Sequence, residues 1–195
     1  MPPALYLASK SPRRAELLRQ LGLSFEVVPA DVPEQPAAGE TPAQYALRIA
    51  QAKARAGAMQ VKVDRPVLGA DTDVVLDGKI LGKARSRDDG IAMLLALSNR
   101  THEVYSAVAV TRGAHMATAL SVTQVTFGGI GADEAAAYWA SGEPADKAGA
   151  YAIQGLGAVF VREIRGSYSG VVGLPLYETA ALLKQFEIGV INLKA

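Results

Sequence analysis

A mixed α/β fold is what these 195 residues predict. Over the first half of the chain, short apolar runs of strand length stand between segments that carry helical periodicity and capping signals. Two longer strand patterns, 103–111 and 117–127, then follow one another across a turn at Arg112-Gly113, as an antiparallel pair would. Half of the residues are hydrophobic, enough for one well-filled core or for two small lobes sharing a sheet. The whole chain, 1–195, reads as one domain without repeats or low-complexity tracts.

The run ALYLA at 4–8 is the first strand, and Ser9-Lys10-Ser11-Pro12 ends it. Ser11 suits an N-cap and Pro12 the first helical position, which predicts a helix over 12–21 with Leu17, Leu18 and Leu21 facing inward. Arg13 and Arg14 fall in its first turn, where the helix dipole disfavours cations and attracts anions. The pair makes sense either as two solvated arginines or with a phosphate between them. Gly22 ends the helix, and Phe25-Glu26-Val27-Val28 reads as a second strand.

Residues 29–41 hold three prolines and a glycine and form a loop, with Asp31, Glu34 and Glu40 as its acids. Thr41-Pro42-Ala43-Gln44 has the form of a capping box and opens a helix that runs to about Met59. Ala46, Ile49, Ala50 and Lys53 share one face, so Lys53 projects from an apolar stripe. It either snorkels to the surface or points into a cleft.

Residues 66–85, PVLGADTDVVLDGKILGKAR, carry the chemistry that hydrophobic patterning does not ask for. Val67, Leu68, Val74, Val75 and Leu76 define a buried strand with Asp71 and Asp73 in its middle. A buried charge costs several kcal/mol unless it is neutralised. Alternation puts Asp71 and Asp73 on one face, roughly 7 Å apart, with Thr72 on the other. Asp77-Gly78 turns the chain back towards Lys83 and Arg85, so that carboxylates and cations on two arms could hold a metal-bound polyphosphate.

A helix over 86–97 follows, with Ile91, Leu94 and Leu95 inward and a stop at Ser98-Asn99. The long strand pair beyond it is expected to present sheet edges that need covering or a partner chain. His102 and His115 lie at strand ends without a second ligand at metal spacing. Residues 132–139 and 176–186 read as helices, and the glycines of 146–175 let backbone approach a ligand. There is no GxxxxGK[ST], no GxGxxG after a strand, and no serine nucleophile with a histidine to serve it. A net charge of +1 argues against nucleic acid and against an anionic membrane as partner. The absence of cysteine excludes disulfides, thiolate metal sites and a thiol nucleophile. No stretch has the length of a membrane span and the N-terminus has no signal-peptide form, so the expectation is a cytoplasmic protein.

Four pieces, LASKSPRR at 7–14, GADTDVVLDGKILGKAR at 69–85, DKAGAYAIQG at 146–155 and GSYSGVVGLPL at 166–176, are together similar to the Maf family of nucleotide pyrophosphatases, in that family's order. The third resembles the branch acting on dTTP and UTP; the branch acting on 7-methyl-GTP lacks the tyrosine and glutamine of AYAIQG. The resemblance implies an inosine-triphosphatase-like fold, an elongated curved mixed sheet flanked by helices, with two lobes, a cleft between them, and a homodimer. It implies hydrolysis of a pyrimidine nucleoside triphosphate to the monophosphate and pyrophosphate with a divalent cation, Mg²⁺ or else Mn²⁺ or Co²⁺. Asp71 matches the general base, Lys53 and Lys83 join it as catalytic, and Asp71 and Glu34 match metal positions. Arg13, Thr72 and Gln154 match positions of substrate preference, and Ser9 and Arg14 flank Arg13 as substrate-binding. Ala84 in place of proline, Asp73 in place of an aliphatic residue and Gly170 in place of asparagine depart from the family pattern. The rivals are the same chemistry on 7-methyl-GTP or another non-standard nucleotide, and a non-catalytic regulator of septum formation.

Overall fold

The computed structural model describes residues 3–190; Met1, Pro2 and the residues after 190, which fall within the single domain expected from sequence, lie outside the described residues. The first apolar run forms β1 (Leu5–Ala8), and Pro12 opens α1 (Pro12–Gln20), which buries Ala15, Leu17 and Leu18. Ser11 stands at the N-cap without a side-chain bond to the helix, so its role there is conformational. After the edge strand β2 (Phe25–Val27) the loop leads to α2 (Pro42–Ala58). Its capping box forms as the spacing predicts: Thr41 Oγ1 accepts from the Gln44 N–H and the Gln44 side chain accepts from the Thr41 N–H.

The acid-bearing strand is β3 (Val67–Leu76), and Asp77 and Gly78, at φ 51° and 75°, turn it into β4 (Lys79–Leu81). Positive φ at both central residues is what a two-residue hairpin needs. Helix α3 (Arg87–Leu97) is capped by Ser86 and buries Gly90, Leu94 and Leu97; Leu95, expected inside, is 38% exposed because the buried stripe runs through 90, 94 and 97.

Strands β5 (Thr101–Arg112) and β6 (His115–Phe127) are antiparallel over their full length. The expectation that both present edges is corrected: β5 is interior, between β3 and β6, and β7 (Val161–Arg165) covers the 124–127 end of β6. Helices α4 (Ala132–Ala140), α5 (Tyr168–Val172) and α6 (Leu176–Lys184) complete the chain, with 3₁₀ turns at Glu143–Asp146 and Leu156–Phe160. The sequence reading left β7 and α5 unassigned in a glycine-rich stretch, since five-residue elements are too short for periodicity to show.

The result is an open seven-stranded mixed sheet, β2-β1-β3-β5-β6-β7 with β4 paired to β3, flanked by helices. Two cores divide along β3: Leu68 and Ala70 pack with Leu5, Leu18 and Leu174, whereas Val74 and Leu76 pack with Leu94, Phe127 and Tyr138.

One irregularity in the sheet makes a site. Strand β5 pairs with β3 from Val67 to Val75 along one edge. On the other edge β1 pairs only as far as Gly69 and β4 begins only at Val74. Residues 70–73 therefore have no strand beside them on that edge, and an opening at the carboxyl end of β1 reaches both faces of the sheet.

Helix α2 packs on the face that carries Asp71, and it packs very close. A Cβ at Gly69 would stand 2.4 Å from the Ala54 nitrogen and 2.5 Å from the Ala50 carbonyl oxygen, both backbone atoms that cannot swing aside. Small side chains, Ala46, Ala50 and Ala54 against Ala107 and Ala109, permit this approach, and it brings Lys53 to the strand. Gly69→Ala is expected to lower stability by about 3 kcal/mol by overpacking and to lower activity with it. Urea unfolding measures this, and an unchanged midpoint would show that α2 can retreat freely.

Candidate active site

The nine side chains to which the family resemblance gives roles, Ser9, Arg13, Arg14, Glu34, Lys53, Asp71, Thr72, Lys83 and Gln154, all line one groove of about 680 Å³. It opens at the gap beside residues 70–73 of β3. The two faces of the strand contribute different chemistry.

On the α2 face, Lys53 Nζ donates to Asp71 Oδ1 at 2.7 Å and stands 2.6 Å from Glu34 Oε1. Lys53 and Asp71 are 7% and 6% exposed, so this is a desolvated pair at the floor of the groove. Of the two sequence readings of Lys53, the cleft-pointing one is observed. Half-burial works to raise the Glu34 carboxyl, but the hydrogen bond and charge of Lys53, with Lys83 and Arg14 behind it, outweigh that and hold it below the ordinary glutamate value. Asp73 lies beside Asp71, 8% exposed, and its Oδ2 has no hydrogen-bond partner. Burial, then the charge of Asp71 and a hydrogen bond with it, push the Asp73 carboxyl up to about 8. Its environment thus favours the neutral carboxyl over the charged one.

On the opposite face, Thr72 Oγ1 lies 2.9 Å from Ser106 Oγ and donates to the Gly173 carbonyl at 3.3 Å. Arg14 donates from Nε to the same carbonyl at 2.9 Å, from Nη1 to Ser9 Oγ at 3.2 Å and from Nη2 to Thr72 Oγ1 at 3.4 Å. Burial lowers the Arg14 guanidinium and the charge of Asp71 partly restores it. Among the described residues Arg14 has no carboxylate within salt-bridge distance. A half-buried cation without a carboxylate partner favours an arriving anion. The two arginines are not equivalent, then. Arg13 reaches outward, 3.7 Å from the exposed Asp146, while Arg14 knits Ser9, Thr72 and Gly173 together.

Lys83 is exposed at the rim, with no ion pair among the described residues, and its backbone bridges to Ala148. Gln154 is exposed on a turn closed by the Gly155 N–H and the Ala152 carbonyl, 3.1 Å apart. Arg85 is not part of the groove: it pairs with Asp89 at 3.2 Å and is 89% exposed, because α3 begins immediately after it.

Sequence reasoning passed over Lys10, Tyr45 and Lys147, and took Tyr151 only as a mark of the branch; all four line the groove. Tyr45 was legible, since it stands one and two turns before Ile49 and Lys53 on the same helix face. Tyr151 is held by a 2.9 Å hydrogen bond with the buried His102. Lys10 pairs with Asp31, and Lys147 with Asp146, so neither stood out as an isolated charge. In all, six cationic side chains face five carboxyls, one of which, Asp73, is shifted towards its neutral form. The groove gathers an excess of cations on a chain whose net charge is only +1. It can hold a polyanion and, at its floor, place a carboxylate beside it.

The same floor bears on metal binding. No group of three or more His, Asp or Glu side chains is placed to hold a metal among the described residues. Asp71 and Glu34, joined through one ammonium, do offer two hard oxygen donors facing the groove. Mg²⁺ commonly takes one or two carboxylates, with phosphate oxygens and water completing its shell, so the donor set fits an ion that arrives with its nucleotide.

Comparison with known proteins adds the following. The family profile described as "Maf-like protein" matches residues 4–186. A protein of Saccharophagus degradans named dTTP/UTP pyrophosphatase is 57% identical over 95% of this chain and 90% of its own length. A protein of the same name from Methylococcus capsulatus is 53% identical over 98% of this chain and 95% of its own, and one from Escherichia coli K12 is 52% identical over 94% and 93%. Among solved structures, the Staphylococcus aureus Ham1 protein aligns with a TM-score of 0.51 at 15% identity, covering 94% of this chain and 97% of that one, a likeness of fold.

Proposed function

The chain belongs to the Maf family, and from that premise we propose that it is a nucleoside triphosphate pyrophosphatase that cleaves dTTP and UTP to the monophosphate and pyrophosphate. The observation that carries this reading is the groove in which an excess of cations surrounds a desolvated Lys53–Asp71 pair at an open strand edge. A triphosphate brings several negative charges, and attack of water on phosphorus requires that these be offset while the water loses a proton.

Asp71 is proposed as the general base, accepting the proton of the attacking water at its carboxylate. Lys53 fixes the direction of that carboxylate through its 2.7 Å hydrogen bond. Lys83 at the rim, and Arg13 by exchanging its contact with Asp146, bind the phosphate chain, and Arg14 adds a fixed positive charge while holding Ser9 and Thr72 in place. Gln154 offers an amide donor and acceptor to the O4/N3 edge of uracil or thymine. Asp71 and Glu34 would hold the divalent cation, which when bound supplies charge neutralisation on the phosphate oxygens. Homodimer formation is proposed from the family resemblance alone, and a cytoplasmic location from the sequence pattern; among the described residues no helix is long and apolar enough to cross a membrane.

A panel of triphosphates assayed for pyrophosphate release, with Mg²⁺, Mn²⁺ or Co²⁺ and with EDTA, tests the reading. Turnover of dTTP and UTP about tenfold or more above CTP and the purine nucleotides is expected, with loss of all turnover in EDTA. Preference for 7-methyl-GTP would move the chain to another substrate with the same chemistry. Absence of pyrophosphate from every nucleotide would overturn the enzymatic reading.

A further inference from the structure

Gln154 has no hydrogen bond of its own among the described residues, so whatever fixes it must act through the backbone around it. Two side chains that do not line the groove do this. Glu143 accepts from the N–H groups of Leu156 at 2.9 Å and Gly157 at 3.0 Å, and from the Tyr138 hydroxyl at 2.6 Å. The Tyr138 hydroxyl in turn accepts from the Ala152 N–H at 3.1 Å. Backbone is thereby held two residues before Gln154 and again two and three residues after it.

The fit leaves no slack. A Cβ at Gly155 would stand 2.1 Å from Glu143 Oε2, and one at Gly157 would stand 2.5 Å from the Tyr138 hydroxyl. Glycine at both positions lets the loop close directly onto the two clamping groups. The bonds to Glu143 are charge-assisted, the stronger class, and hydrogen bonds from Tyr138 and from the two N–H groups keep its carboxyl below the ordinary glutamate value against the opposing effect of burial.

We propose that Glu143 and Tyr138 are positioning residues for base selection, which set the height and angle at which Gln154 meets the pyrimidine. The inference rests on the assignment of Gln154 to the base. Discrimination by a hydrogen-bonding edge depends on geometry, and a displacement of about 1 Å in a positioning group is enough to lose much of it. A purely structural role would lower the activity towards every nucleotide alike. A positioning role lowers the preference for UTP over CTP.

The test compares kcat/KM for UTP and CTP, on the full chain, in Gln154→Ala, Glu143→Gln, Tyr138→Phe and the double variant Gln154→Ala/Glu143→Gln. The UTP:CTP ratio is expected to fall about tenfold in Gln154→Ala, the loss of about one good hydrogen bond. It is expected to fall several-fold in Glu143→Gln and Tyr138→Phe through a higher KM for UTP with kcat little changed. The double variant should show no further fall beyond Gln154→Ala, because the clamp has nothing left to position. A fall in Gln154→Ala with an unchanged ratio in the clamp variants overturns the inference and leaves the base assignment standing. An unchanged ratio in Gln154→Ala overturns the assignment and the inference with it. If Glu143→Gln does not fold, Tyr138→Phe, which removes one hydroxyl, decides.

Discussion

Asp71→Asn is expected to lower kcat for dTTP and UTP by about 10³-fold while nucleotide binding persists, within the range general-base catalysis contributes. Asparagine keeps the size of the side chain and can still accept from Lys53, so the Lys53 ammonium stays in place between it and Glu34. What is lost is the negative charge that takes the proton from water. Asp71 is also one of the two proposed metal donors, so binding is compared without metal, where loss of one negative charge from the groove should let the affinity for a triphosphate hold or rise. Calorimetric titration with the non-hydrolysable α,β-methylene analogue of UTP, beside steady-state kinetics in saturating Mg²⁺, separates the two effects. A kcat within tenfold of the parent protein would remove Asp71 as the base and leave the groove as a binding site whose chemistry lies elsewhere.

Much of this site was legible because each part leaves a local mark. Two carboxylates inside an apolar run, a lysine on an apolar helix stripe and a capping box before it are features of a few residues each, and the Gln44 and Thr41 bonds follow from spacing alone. What could not be read is whatever depends on where strands end relative to one another. That β1 stops at Gly69 and β4 starts at Val74 is a property of three segments in register, and it decides that Thr72 and Asp71, on opposite faces, both reach one groove. The difference between Arg13 and Arg14 has the same origin, since Arg14 meets the Gly173 carbonyl 159 residues away. Glu143 gave no signal at all, because its partners are backbone N–H groups, which carry no residue identity.

Lys53→Met should be the most destabilising change at the site. Methionine retains the length and apolar stem of the side chain, so packing against α2 and β3 is largely kept. The ammonium goes, and Asp71 and Asp73, 6% and 8% exposed, are left side by side without a cation in contact. Stripping one partner from a buried pair costs about 3–5 kcal/mol. The cost should also depend on pH. Asp73 is already raised to about 8, and the charge of Lys53 is the foremost influence holding it down, so removal pushes it higher. A carboxyl raised in the folded state contributes stability that is whole below the unfolded value near 4 and is lost as pH rises through the folded one. The deficit of Lys53→Met should therefore be larger in urea unfolding at pH 8.5 than at pH 5.5. Adding Asp71→Asn to Lys53→Met removes the uncompensated charge and should recover about 2 kcal/mol or more at the higher pH, while turnover stays absent. Simple addition of the two single losses would mean that solvent reaches the floor of the groove and screens the pair. The Lys53–Asp71 contact would then not be what holds the proposed base in place.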